Sequence, residues 1–216
     1  MSEPLHPIEI VTTVYLVRHG HTEETEKGKL YNDPAVEITQ RGRDQAHAVG
    51  MWLKKNRPEV LACSTAQRVR STAEIIEQEI DLKSIPLKGF NEWSVGEWEG
   101  RTYVDLKENE PEVYKHWSAN PIEHAPPGGE SITDLYNRIA GRLKEVIKAH
   151  EGKTIALVTH AGVIRCILVE ALGMPLNNFW RLSIPTGCIS KIDFSENFAT
   201  VHFTAFTPEQ NSTGVS

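Results

Sequence analysis

Arg18-His19-Gly20 closes the first apolar run of the chain and sets an imidazole beside a guanidinium. A neutral imidazole can attack an electrophile when one ring nitrogen is held as a donor and the other keeps its lone pair. A guanidinium offers a planar fork that matches two phosphate oxygens. The same residue types recur downstream: Arg68 follows Ser64-Thr65-Ala66-Gln67, and His160 follows Thr159. Transfer of a phosphoryl group needs positive, preorganised donors around its oxygens and an acid for the departing alkoxide. Two histidines and two arginines meet the first need. A carboxylate from another segment must meet the second.

These residues are far apart in sequence, so the fold has to gather them. Residues 10–17 are rich in Val, Ile, Thr and Tyr and short enough for a buried strand. Residues 60–63 and 154–159 read the same way, and residues 84–87 give a shorter strand. Helical spacing follows Thr39 over residues 40–55, with Ala46, Val49 and Leu53 on one face. It returns over residues 67–80 through Val69, Ala73, Ile76 and Ile80. Ser131 opens a helix to about residue 150, with Asp134 in the capping-box position. A helix over residues 163–172 is closed by Gly173 and Pro175. Residues 189–194 and 199–206 read as two strands around a turn at 195–197.

Residues 90–129 hold Trp93, Trp98 and Trp117 and no clear strand, and read as one or two short helices. Strand–helix alternation predicts an α/β fold, a three-layer α/β/α sandwich. Its sheet is mainly parallel, with helices on both faces and a small helical cap excursion. Residues 1–216 are expected to form a single domain, with the cap at about residues 90–129. Such sheets bind ligands beyond the carboxyl ends of their strands. Arg18 and His19, residues 64–68, and His160 all fall there.

Arg18-His19-Gly20-His21-Thr22 resembles the signature of the histidine phosphatase superfamily, in its phosphoglycerate mutase-like branch. Further segments in the family's order carry the resemblance across residues 10–205. Ser64-Thr65-Ala66-Gln67-Arg68 is similar to the segment that supplies a second phosphate-gripping arginine. Glu92-Trp93-Ser94-Val95-Gly96-Glu97-Trp98-Glu99-Gly100 is similar to the stretch whose first glutamate is the proton donor. Pro127-Gly128-Gly129-Glu130-Ser131 matches the motif that opens the long helix, and Thr159-His160-Ala161-Gly162-Val163-Ile164-Arg165 the second histidine motif.

The resemblance implies a nucleophilic His19 that becomes phosphohistidine. It implies Arg18, Arg68 and His160 around the phosphoryl group, and Glu92 rather than Glu97 or Glu99 as the acid. Trp98 and Glu99 then read as structural, and Arg70 as a solvated or paired neighbour of Arg68. Thr22, His21, Thr25 and Ala161 complete the expected substrate contacts. Within the family the chain looks most like the α-ribazole phosphatase and broad-specificity phosphatase groups.

Two positions depart from the pattern. His21 stands where Glu or Gln is usual, and Thr25 where many members carry a phosphate-contacting Asn. His19-x-His21 is also a spacing found in metal sites, so a metal-dependent hydrolase is one alternative; it leaves Arg18 and Arg68 unexplained. A catalytically dead phospho-ligand module is another. A third is phosphoglycerate mutase-type transfer, but Arg101, Lys107 and Lys115 are the only cations of the excursion from residue 101 to 127. That scarcity favours hydrolysis.

The chain of 216 residues carries a net charge of −6 with no concentrated run of Lys and Arg. Nucleic acid and anionic membrane are therefore not expected as partners, and the expected partner is a small phosphate monoester. A homodimer is compatible with the sequence. No apolar run is long enough to span a membrane, and residues 1–9 lack the pattern of a signal peptide. Cys63, Cys166 and Cys188 are far apart and lack metal-ligand spacing. They are expected to be buried reduced thiols, in keeping with a cytoplasmic protein. No cofactor is expected.

Overall fold

The computed structural model describes residues 10–196 and 198–209. The expectations placed on residues 1–9, on Asn197 in the turn and on the tail beyond residue 209 lie outside them. Six strands form one sheet in the order β3-β2-β4-β1-β5-β6. They are β1 (Thr12–Arg18), β2 (Val60–Cys63), β3 (Ser84–Pro86), β4 (Thr154–Thr159), β5 (Ile189–Phe194) and β6 (Ala199–Phe206). Strands β3, β2, β4 and β1 run parallel; β5 is antiparallel to β1 and to β6.

Side chains alternate across this sheet with the period of two that a strand imposes. Val14, Leu16, Val60, Ala62, Ile155 and Leu157 point into one core layer. There they meet α6 (Ile132–Ala149) and α7 (Ala161–Ala171) through residues such as Leu135, Ile139, Ile164 and Leu168. Tyr15, Val17, Leu61, Cys63, Ala156 and Val158 point the other way. They meet α2 (Gln40–Asn56) and α3 (Gln67–Ile80) through Val49, Leu53, Val69, Ala73 and Ile76. This is the α/β/α sandwich that the alternation predicts.

The remaining helices are short: α1 (Glu23–Glu26), and α4 (Tyr103–Asn109) and α5 (Pro111–Ala119) in the excursion. Trp93, Trp98 and Trp117 are buried there and pack into the α6–α7 layer. Ser131 and Asp134 form a reciprocal capping box at the start of α6.

Several boundaries differ from the sequence expectation by one or two residues. β1 starts at Thr12, because Ile10 and Val11 are 56% and 42% exposed and outside the ladder. β3 ends one residue early, at Pro86, although Leu87 N still bonds the Cys63 carbonyl at 2.7 Å. Helix α7 begins at Ala161, two residues sooner than its apolar spacing suggests, with extended His160 as its N-cap. Cys63, Cys166 and Cys188 are free and buried, as expected. Among the described residues no helix is long and apolar enough to cross a membrane.

Candidate active site

Register brings the chemistry together. Arg18 is paired with Thr159, and Cys63 with Val158, so β1, β4 and β2 end side by side. The next residues continue the ladder: His19 N bonds the Thr159 carbonyl, and Ser64 N bonds the Val158 carbonyl, each at 3.0 Å. His19 and His160 then face each other edge to face, ring centroids 5.5 Å apart. Thr72 fixes the loop after His19, accepting from Gly20 N at 3.0 Å and donating to the Arg68 carbonyl at 2.7 Å.

The hydrogen bonds assign the tautomers. His19 Nδ1 lies 2.8 Å from the Gly20 carbonyl oxygen, which can only accept. Nδ1 therefore carries the proton and Nε2 keeps its lone pair. Burial, then Arg18 and Arg68, hold the His19 pKa well below its ordinary value, so the ring is neutral. His160 Nδ1 lies 3.3 Å from Arg68 Nη2, a nitrogen that can only donate. Its proton is thus on Nε2, 2.7 Å from Ser64 Oγ. Burial, then Arg68, His19 and Arg18, keep this ring neutral too.

Both guanidiniums are anchored through terminal nitrogens, Arg68 through both of them. Arg18 Nη1 donates to the Ile184 carbonyl at 2.6 Å, and Arg68 Nη1 to the Asp33 carbonyl at 2.8 Å. The Tyr31 ring lies 4.7 Å from the Arg68 guanidinium carbon and presses it into place. The Nε atoms of both arginines are buried with no partner. Arg18 and Arg68 line one cavity with the neutral His19 ring, a set of fixed positive groups that suits an anion.

Glu92 comes from the loop before the cap, and three side chains pin that loop. Arg138 Nη1 donates to the Gly89 and Asn91 carbonyls, each at 3.0 Å. Thr159 Oγ1 donates to the Phe90 carbonyl at 2.8 Å, and Thr65 Oγ1 to Asn91 Oδ1 at 3.0 Å. The Glu92 carboxylate lies at the N-terminus of α7, with Oε1 accepting from Gly162 N at 3.1 Å and from Trp93 N at 2.9 Å.

A cavity of about 380 Å³ opens here, lined by Arg18, His19, Arg68, Glu92 and Ala161; His160 is fully buried behind them and does not line it. Thr25 and Tyr31 form one side, and Trp93, Tyr103, Phe179 and Trp180 the far wall. Thr22 does not line the cavity. Its hydroxyl is within 2.9 Å of both Thr25 Oγ1 and Tyr31 Oη, and the last two are 2.7 Å apart. Trp98 is core, and Glu99 accepts from the Asn32 and Asp33 backbone, as their structural reading predicts. Arg70 is an exposed partner of Glu74 at 3.8 Å.

His21 corrects the expectation of a substrate contact. It is buried away from the cavity, with Nδ1 2.9 Å from Thr39 Oγ1 and its backbone N donating to Gln45 Oε1 at 2.8 Å. Its ring therefore holds the loop to α2 and does not share a ligand position with His19. Among the described residues no three or more His, Cys, Asp or Glu side chains cluster as metal ligands. Sequence reasoning missed Ser64, Arg138 and Arg165. The last lines the cavity, and its position one turn after Gly162 on a helix that starts at the site is the signal that points to it.

A family model described as histidine phosphatase superfamily (branch 1) matches residues 14–206. The chain is 28% identical over 188 residues to the adenosylcobalamin/alpha-ribazole phosphatase of Salmonella typhimurium, covering 87% of this chain and 93% of that protein. It is 33% identical over 173 residues to a metal-independent phosphoserine phosphatase of Arabidopsis thaliana, covering 78% and 72%. The crystal structure of the alpha-ribazole phosphatase from Shigella flexneri superposes with a TM-score of 0.83 at 26% identity, over 91% of this chain and 97% of that one.

Proposed function

The chain belongs to the histidine phosphatase superfamily, branch 1, and we propose that it hydrolyses small phosphate monoesters through a phosphohistidine formed on His19. The observation that carries this is that Arg18 and Arg68 line one cavity with an imidazole fixed with its lone pair on Nε2. The phosphoryl oxygens take the two guanidiniums as partners, and His160, held by Ser64, supports that of Arg68 from behind. Nε2 of His19 attacks phosphorus in line, the N–P bond forms, and the ester P–O bond breaks. Glu92 gives a proton to the departing oxygen. Water then attacks the phosphohistidine, Glu92 takes its proton, and the N–P bond breaks to release inorganic phosphate. Ala161 and Thr25 border the same space, and Thr22 holds Thr25.

Hydrolysis is favoured over transfer to a second alcohol by the lack of free cations from the cap over the site. Arg101 in the cap is engaged by Asp105 and Glu110, and neither Lys107 nor Lys115 lines the site. We read residues 1–216 as one catalytic unit whose excursion at about residues 90–129 walls the pocket. Its buried thiols suit a reducing compartment such as the cytoplasm. Relatives named for α-ribazole and for phosphoserine have the phosphomonoester in common and little else in the alcohol.

The test is release of inorganic phosphate from p-nitrophenyl phosphate and a panel of alkyl monoesters, with a chelator present. Turnover that survives the chelator supports the proposal. No turnover on any monoester, or full dependence on added metal, would overturn it.

A further inference from the structure

Phosphoryl transfer uses Arg18 and Arg68, but the cavity holds two more cations, Lys29 and Arg165. Arg165 is the one held in place. Its Nε donates to the Leu182 carbonyl at 2.9 Å. Its guanidinium carbon lies 5.4 Å from the Phe179 ring centroid and 5.6 Å from that of Trp180. A carbonyl and two aromatic rings thus fix a side chain that otherwise loses much rotamer freedom on ordering. The ion pairs formed by the described arginines involve Arg70, Arg101, Arg138 and Arg142, never Arg165. Burial disfavours its charge and pushes its pKa down. A half-buried, immobilised guanidinium without an ion-pair partner is costly, and a bound anion offsets that cost.

Glu92 favours the charge on Arg165 through space, but its carboxyl group accepts from Gly162 N and Trp93 N at the start of the same helix and forms no ion pair with the guanidinium. The phosphoryl group belongs with Arg18 and Arg68. The remaining space beside Arg165, bounded by Trp93, Tyr103 and Trp180, is where the alcohol portion of the substrate lies. From this, and resting on the phosphatase reading above, we infer that Arg165 is a specificity-determining residue that grips a carboxylate carried by the leaving alcohol. A fork of terminal nitrogens matches a carboxylate two-to-two. A second phosphate offers the same oxygens but brings nearly two charges against the single one of Arg165, which a carboxylate balances, so the carboxylate is favoured.

The experiment compares matched substrates that differ in that group. O-phosphoserine is paired with O-phosphoethanolamine, 3-phosphoglycerate with glycerol 3-phosphate, and fructose 1,6-bisphosphate with fructose 6-phosphate. The native enzyme should favour the carboxylated member of the first two pairs in kcat/KM by about ten-fold or more, the range of a charge-assisted hydrogen-bonded pair. Arg165→Met should collapse that preference toward unity, lowering kcat/KM for the carboxylated member far more than for its partner. Arg165→Lys should keep part of it. Circular dichroism checks the fold; if Arg165→Met does not fold, Arg165→Gln carries the same comparison.

Equal rates within the first two pairs, or a preference that survives in the variants, would overturn the inference while leaving the phosphatase reading intact. So would equal losses on both members, and a preference confined to the bisphosphate would reassign the subsite. No turnover of any of the six would remove both.

Discussion

Glu92 Oε1 lies 3.1 Å from the backbone nitrogen of Gly162, and a Cβ built on Gly162 would overlap that same oxygen. The carboxylate therefore occupies the space that any larger residue at 162 would fill. Gly162 stands in the first turn of α7, and its φ is not in the left-handed region. Its reason for being glycine is the neighbour, not the backbone.

Gly162→Ala separates function from stability. Alanine is a better helix former than glycine by about 1 kcal/mol, so the substitution should leave the melting temperature unchanged or slightly higher. It should still displace Glu92 and lower kcat on alkyl monoesters by about ten-fold or more. A parallel fall in stability and activity would show that residue 162 matters only for packing.

Glu92→Gln tests the acid itself. The amide can still accept from Gly162 N but delivers no proton. The loss should be steep for alkyl phosphates, roughly a hundred-fold or more, and small for p-nitrophenyl phosphate, whose leaving group needs no protonation. A plot of log kcat against leaving-group pKa should become steeper; an unchanged slope removes Glu92 from the role.

Much of this site was legible in the sequence, and the reasons are specific. Arg18, His19, Arg68 and His160 stand just past or within buried strands and helices whose periodicity is unambiguous, so sheet register and the first turn of α3 bring them together. Three parts were not legible. His21 follows His19 by two residues, but the loop turns between them, and the ring goes to Thr39 through a contact set by tertiary packing. Arg138 reaches the loop carrying Glu92 from mid-helix, where a charged residue ordinarily reads as a solvated face. The start of α7 was hidden because Gly162 looks like a breaker until Glu92 is seen beside it.

Ser64→Ala should weaken the fold through His160. Ser64 Oγ accepts the proton on Nε2 of a fully buried ring. Its loss leaves that N–H unpaired at a cost of about 1–3 kcal/mol. Moving the proton to Nδ1 is no remedy, because Nδ1 faces the donor Arg68 Nη2. Urea unfolding should report a lower midpoint at unchanged slope, and KM should rise. An unshifted midpoint would mean that His160 finds another acceptor.

The two neutral imidazoles also make stability pH-dependent. Their native pKa values lie below the ordinary 6.5, which the unfolded chain retains. As pH falls below about 6.5 the unfolded chain takes up protons that the native rings refuse. The contribution to stability is therefore full above that pH and is lost progressively as pH falls toward the depressed native values. Urea midpoints should drop between pH 7.5 and 5, and His19→Asn should flatten part of that slope. A slope identical to the native protein's would contradict the neutral state assigned to His19.

The most direct measurement is to quench the enzyme during turnover of a phosphomonoester and map the phosphoryl group by mass spectrometry under alkaline conditions. An acid-labile, alkali-stable phosphoryl group should sit on His19. His19→Ala should fold, as judged by circular dichroism, and show neither adduct nor turnover. Turnover retained in that variant, or a phosphoryl group found on His160 or any other residue instead, would contradict the account.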